Sequence, residues 1–162
     1  METSTKLKRL LLSIAEFSVC YFLYSLVSTA IHEWFHLETL IRLGGQGYIQ
    51  KTWFGGVCIP TVPPQHHAWL FYLSGGLLTG LFYLALAYWD WIDEDWEEYS
   101  ALHLCGWPQI TYAVFEMLFI DKLSLSQYLV WATVAQLVGL GIALVFVIPA
   151  FMRIYACLKL KP

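Results

Sequence analysis

His32-Glu33-Trp34-Phe35-His36 sets two imidazoles four residues apart, with a carboxylate directly after the first. On a helix, residues four apart lie one turn along and about 40° around the axis, so both rings can converge on one cation. Glu33 lies about 100° round from His32, off the ligand line but within reach of a water on the same ion. A metal such as zinc lowers the pKa of that water, and the carboxylate can take its proton and pass it to a leaving group. A catalytic zinc takes three protein ligands and keeps its fourth position for water. The third ligand must come from elsewhere in the chain.

Glu116, in "PQITYAVFEMLFI", is the best candidate for that ligand, with a structural pairing inside the fold as the alternative. Gln109, Tyr112 and Glu116 fall at i, i+3 and i+7 and form one polar stripe on an apolar helix. Such a stripe should face a bundle interior rather than lipid. Gln109 and Tyr112 are therefore candidates for supporting the ligands or donating to a developing oxyanion. His66 and His67 are further candidates for supporting or substrate-contact groups, and are equally readable as interfacial loop residues beside Pro63-Pro64. Glu38 points to another side of its helix, toward water or headgroups. His103 lies toward the opposite membrane face, and Asp121 caps a turn.

These residues sit in a chain made for lipid. Of its 162 residues 59% are hydrophobic and 13% charged, against about 25% charged in soluble domains. Mean hydropathy is +0.59. The 8 Trp and 10 Tyr suit the aromatic belts of a bilayer interface. No basic patch interleaves with aromatics, so nucleic acid is not an expected partner. The formal net charge of −3 says little about partners. Cys20, Cys58, Cys105 and Cys157 are scattered without a CxxC pair, which argues against a thiolate zinc site or redox motif and for apolar filling. Lys6, Lys8 and Arg9 resemble the basic start of a signal peptide. The apolar run after them exceeds the roughly 7 to 15 residues of such a segment, so it is read as a retained helix.

The expected fold is an all-α membrane protein, one integral domain over residues 1–162, with about four transmembrane helices near 10–43, 68–89, 101–120 and 126–157. A short β-hairpin-like loop follows the break at Gly44-Gly45, with β-prone stretches at 48–54 and 57–62. Ser74, Gly75, Gly76, Thr79 and Gly80 form a small-residue face for close helix approach. "DWIDEDWEEYS" reads as a solvated acidic loop, and "GWP" at 106–108 as an interruption of the third span. Four spans put both termini on one side. Lys6, Lys8, Arg9, Arg153, Lys159 and Lys161 make that side cytoplasmic, against Arg42, Lys51 and Lys122 outside.

Spans one and three then run the same way, with His36 and Glu116 about 10 and 6 Å from their helix ends. A charge at mid-span costs about 2.5–3.5 kcal/mol. Three ionisable groups in five positions need compensation, which a metal supplies; a helix end among headgroups is the alternative.

HExxH late in a membrane helix, then Gly44-Gly45, "WFGG" at 53–56, a proline-containing loop and "SGGLLTG" follow one another over residues 28–120. That order resembles the intramembrane zinc metalloproteases of the site-2 protease type. The resemblance implies Zn2+ on His32 and His36, water activation by Glu33, and hydrolysis of a peptide bond in or near the membrane helix of a protein or peptide substrate. It also implies an edge within 46–62 to which an unwound substrate adds as a strand. The family's second motif, Asn-x-x-Pro-x-x-Asp-Gly with an aspartate ligand, is absent, and the chain contains no Asn. "CGWPQITYAVFE" stands in its place. Either Glu116 substitutes for the aspartate or the site is not proteolytic. Two other readings remain open: a membrane transport or interaction protein whose polar or metal-binding cluster lines a pathway, and a haem protein using His36 with His66 or His67 as axial ligands.

Overall fold

No glycine or proline interrupts residues 2–43, and the chain there forms one helix, α1, over Glu2–Arg42. At 1.5 Å per residue it is about 60 Å long. The structure is a computed structural model. It describes the backbone of residues 2–52, 55–120 and 122–160, and the side chains of 7–52, 55–120, 122–124 and 126–156. α1 stops at Gly44, whose φ of 77° only glycine adopts without strain. The Gly44 N–H donates to Ile41 O at 3.0 Å and the Gly45 N–H to Leu40 O at 2.9 Å. This paired closure is the Schellman motif, and it satisfies the last carbonyls of the helix.

The chain then doubles back as an antiparallel hairpin, β1 (Gln46–Thr52) and β2 (Gly55–Val62), with Ile49 opposite Cys58 and Thr52 opposite Gly55. The hairpin matches the expected β-prone stretches and lies against α1. Trp53 and Phe54 of "WFGG" fall outside the described residues.

Three helices follow: α2 (Ala68–Asp93), α3 (Trp96–Phe119) and α4 (Leu125–Leu160). Two expectations are corrected. The acidic stretch is helical except at Glu94 and Asp95. Glu94 turns the chain with φ 59°, and the Asp95 carboxylate caps α3 by accepting the Glu98 N–H at 3.1 Å. Glu97 and Glu98 occupy the first turn of α3, where carboxylates suit the positive end of the helix dipole. The "GWP" sequence does not interrupt α3 either. Pro108 sits inside the continuous helix, and Gly139 of α4 packs against it with no room for a Cβ. A proline in a helix forfeits one hydrogen bond, and packing on both sides holds α3 together there. Asp121 lies outside the described residues.

α3 packs most extensively of all the helices, against α2 on one side and α4 on the other, and it also touches α1. Gly76 and Gly80 of α2 abut Ala113 and Ile110 of α3, so the small-residue face does bring the two backbones together. Among the described residues, three helices are long and apolar enough to cross a membrane: Leu7–Arg42, Ala68–Asp93 and Ser126–Ala156. α3 is not among them. Its His103, Glu116 and Ser100 are buried by neighbouring protein, which lets it carry polar residues that a lipid-facing helix could not. Leu12, Phe22, Val130, Val145 and Met152, by contrast, point outward from α1 and α4.

Candidate metal centre

α1 presents Ser28, His32 and His36 on one face at four-residue spacing, and all three are buried. α3 brings Glu116 to the same place. His32 is 7% exposed, His36 4% and Glu116 9%. One ligand atom from each lies within 4.8 Å of the others. The two histidine Nε2 atoms are 2.9 Å apart, and His36 Nε2 is 3.7 Å from Glu116 Oε2.

Hydrogen bonding fixes what those atoms can do. His36 Nδ1 lies 2.6 Å from the Phe71 carbonyl of α2, which can only accept, so Nδ1 carries the proton. His32 Nδ1 lies 2.8 Å from Gln109 Oε1, another acceptor. The Gln109 amide nitrogen in turn donates to Ser28 Oγ at 2.9 Å. As neutral rings held this way, the two imidazoles would turn bare Nε2 lone pairs toward each other across 2.9 Å. Glu116 Oε2 beside them is buried without a hydrogen-bond partner. A proton between the rings would relieve the lone-pair clash but leave that oxygen orphaned. A metal ion satisfies all three atoms at once.

Two of the three spacings are close to those of a metal site. Tetrahedral ligands at about 2.0–2.2 Å stand roughly 3.3–3.5 Å from one another, within about half an ångström of the 2.9 and 3.7 Å here, and the third pair lies within 4.8 Å. Two histidines and a carboxylate also form a donor set known for catalytic zinc with one position open.

Glu33 is half-buried beside the hairpin, and its Oε2 accepts the Cys58 N–H of β2 at 2.6 Å. One of its oxygens is thus anchored by the hairpin. Burial, with the nearby Glu33 carboxylate, pushes the Cys58 thiol up to about 11. It stays protonated at neutral pH and does not compete as a nucleophile or ligand.

Among the other expected residues, Tyr112 stands beside the cluster with its ring 6.0 Å from that of His32. Its hydroxyl is 2.7 Å from that of Tyr128 on α4. His66 and His67 are exposed where α2 begins, and the metal-capable group among the described residues includes neither. Glu38 pairs with Arg42 at 2.7 Å on the surface. His103 sits elsewhere on α3, stacked on Phe146.

The unexpected participants are Ser28, the Phe71 carbonyl, the Cys58 N–H, Gly75 and Tyr128. Ser28 was readable from its spacing to His32. The backbone groups carry no sequence signal. Gly75 of α2 lies so close to the His36 ring that a Cβ there would collide with it. Comparison with known proteins adds nothing to this picture: no family model, no curated protein and no solved structure matches the chain.

Proposed function

We propose that this chain is a zinc-dependent hydrolase embedded in a membrane, a peptidase that cleaves a peptide bond within or near the bilayer. One observation carries the reading: two imidazole lone pairs and an orphaned buried carboxylate oxygen converge on a single point. Zinc bound there supplies Lewis acidity and a water of lowered pKa. His32, His36 and Glu116 hold the ion. Gln109 and the Phe71 carbonyl keep both imidazoles in the tautomer that offers Nε2. Glu33, steadied by the Cys58 N–H, takes a proton as the water oxygen bonds to the scissile carbonyl carbon. It returns that proton to the amine nitrogen as the C–N bond breaks. The hairpin beside Glu33 provides an edge for an unwound substrate strand.

The resemblance to site-2 proteases supports this chemistry, with Glu116 in the role of that family's aspartate. The membrane setting rests on the three apolar helices and the outward apolar faces of α1 and α4. In this reading α3 crosses as well, sheltered by its neighbours; its 24 residues reach about 36 Å. Both termini then lie on the cytoplasmic side. A haem held by His36 with His66 or His67 finds less support, because His66 and His67 are exposed where α2 begins, whereas His36 Nε2 is turned toward His32 and Glu116.

Metal analysis of protein purified in detergent tests the reading. Wild type should carry about one zinc and Glu116→Ala almost none. Glu33→Gln should keep its zinc while cleavage of a quenched-fluorescent peptide of membrane-spanning length falls about 10²–10⁴-fold. Zinc-free wild type would overturn the metal centre, and undiminished cleavage by Glu33→Gln would overturn the base.

A further inference from the structure

We infer that the Tyr112 and Tyr128 hydroxyls form an oxyanion-binding subsite beside the metal centre, which makes α4 part of the site. The inference rests on the metal-centre reading above and adds the residues that receive the negative charge of the substrate. Tyr112 is one turn before Glu116 on α3, and its ring lies 6.0 Å from the His32 ring. The short connection from α3 to α4 returns Tyr128 to the same place. The Tyr128 ring is 5.3 Å from that of Phe115, and its hydroxyl is 2.7 Å from that of Tyr112.

Counting donors gives the pair its chemistry. Each phenol has one O–H, and the bond between them uses only one. The hydroxyl that accepts keeps its own proton for a third partner. Tyr112 stands one turn from Glu116 on α3 and its ring lies beside that of His32, so in this inference the spare O–H serves the same site as the metal-capable residues.

Attack of water on a carbonyl carbon moves an electron pair onto the carbonyl oxygen, and a preorganised O–H donor stabilises that charge without transferring its proton. The bond between the two hydroxyls strengthens the device, because it polarises whichever O–H it leaves free in a low-dielectric setting. The ligand class is an oxyanion attached to a metal-chelating group, as in a tetrahedral carbonyl adduct or a hydroxamate.

The probe is acetohydroxamate, titrated into cobalt-loaded full-length protein in detergent and read by the cobalt d–d absorption. Tyr112→Phe and Tyr128→Phe should each hold one cobalt and bind acetohydroxamate at least tenfold more weakly than wild type. Tyr88→Phe is the control. It removes an exposed hydroxyl near the far end of α2, on a ring that stacks on Trp91, and should bind as wild type does. Unchanged hydroxamate affinity in both variants, with lowered melting temperature, overturns the inference in favour of a simple tie between α3 and α4. Should Tyr112→Phe lose cobalt, Tyr128→Phe decides, because α4 carries none of the ligands. Loss of cobalt in both overturns the subsite. Wild type that takes up no cobalt overturns the metal-centre reading itself, a result distinct from the others.

Discussion

α3 lies between two buried imidazole sites. At one, His103 is 7% exposed and stacks on Phe146 with ring centroids 4.5 Å apart and planes 2° from parallel. The edge of Tyr99 meets the same ring at 4.4 Å. Trp107 Nε1–H donates to His103 Nδ1 at 3.1 Å. Indole nitrogen only donates, so Nδ1 is an acceptor there and the proton sits on Nε2. At the other, His32 and His36 are buried to the same degree, but each Nδ1 donates. Their bare Nε2 atoms turn toward each other and toward Glu116. Burial does not separate a packing histidine from a ligand; the direction of its hydrogen bond does. At His103 the protein consumes the lone pair, whereas at His32 and His36 it frees two and aims them at one point.

The largest effect should come from deleting a ring at either site. His32→Ala or His36→Ala should lower bound zinc from about one per chain to near none, measured by elemental analysis. His103→Ala should leave zinc unchanged and show its cost in thermal stability, through the lost stack on Phe146. Equal zinc loss from both sites would erase the distinction between them.

The partners of the rings give the next contrast. Gln109→Leu removes the acceptor that sets the His32 tautomer, and should weaken zinc about 10–100-fold in competition with a chelator. Trp107→Phe removes the donor to His103. It should leave zinc affinity as it was and lower stability by about 1 kcal/mol.

The metal-capable residues were legible because helix periodicity converts spacing into direction. His32 with His36, and Gln109 with Tyr112 and Glu116, each line one face, and the polar stripe on an apolar helix indicated that α3 faces inward. The break at Gly44-Gly45 and the hairpin after it were readable for the same local reasons. What escaped is non-local or made of backbone. Nothing in the spelling of Phe71 or Cys58 announces that a carbonyl or an N–H will be used. Nor does Tyr128 stand out until the α3–α4 turn brings it back to Tyr112. The acidic stretch and "GWP" misled because local composition favours a loop at both. Asp95 capping with Glu97 and Glu98 in the first turn, and Gly139 packed on Pro108, outweighed that preference.

The smallest effect tests whether α2 shapes the metal site or only fills space. Gly75 faces the Nε2 edge of the His36 ring, the edge turned toward His32 and Glu116, and an added methyl would collide with it. That ring cannot swing away cheaply, because its Nδ1 is tied to Phe71 O at 2.6 Å on the same helix α2. Gly75→Ala should therefore cost about 1–3 kcal/mol by overpacking and weaken zinc several-fold as the ligand atom is displaced. A methyl added at Gly141 of α4 would meet nothing within 4 Å, and Gly141→Ala should stabilise the helix by about 0.5–1 kcal/mol with zinc untouched. Thermal melts and chelator competition on the two variants separate the cases. If Gly75→Ala bound zinc like wild type, the small-residue face of α2 would be a packing device alone, and the placing of His36 would fall to α1 and the Phe71 carbonyl.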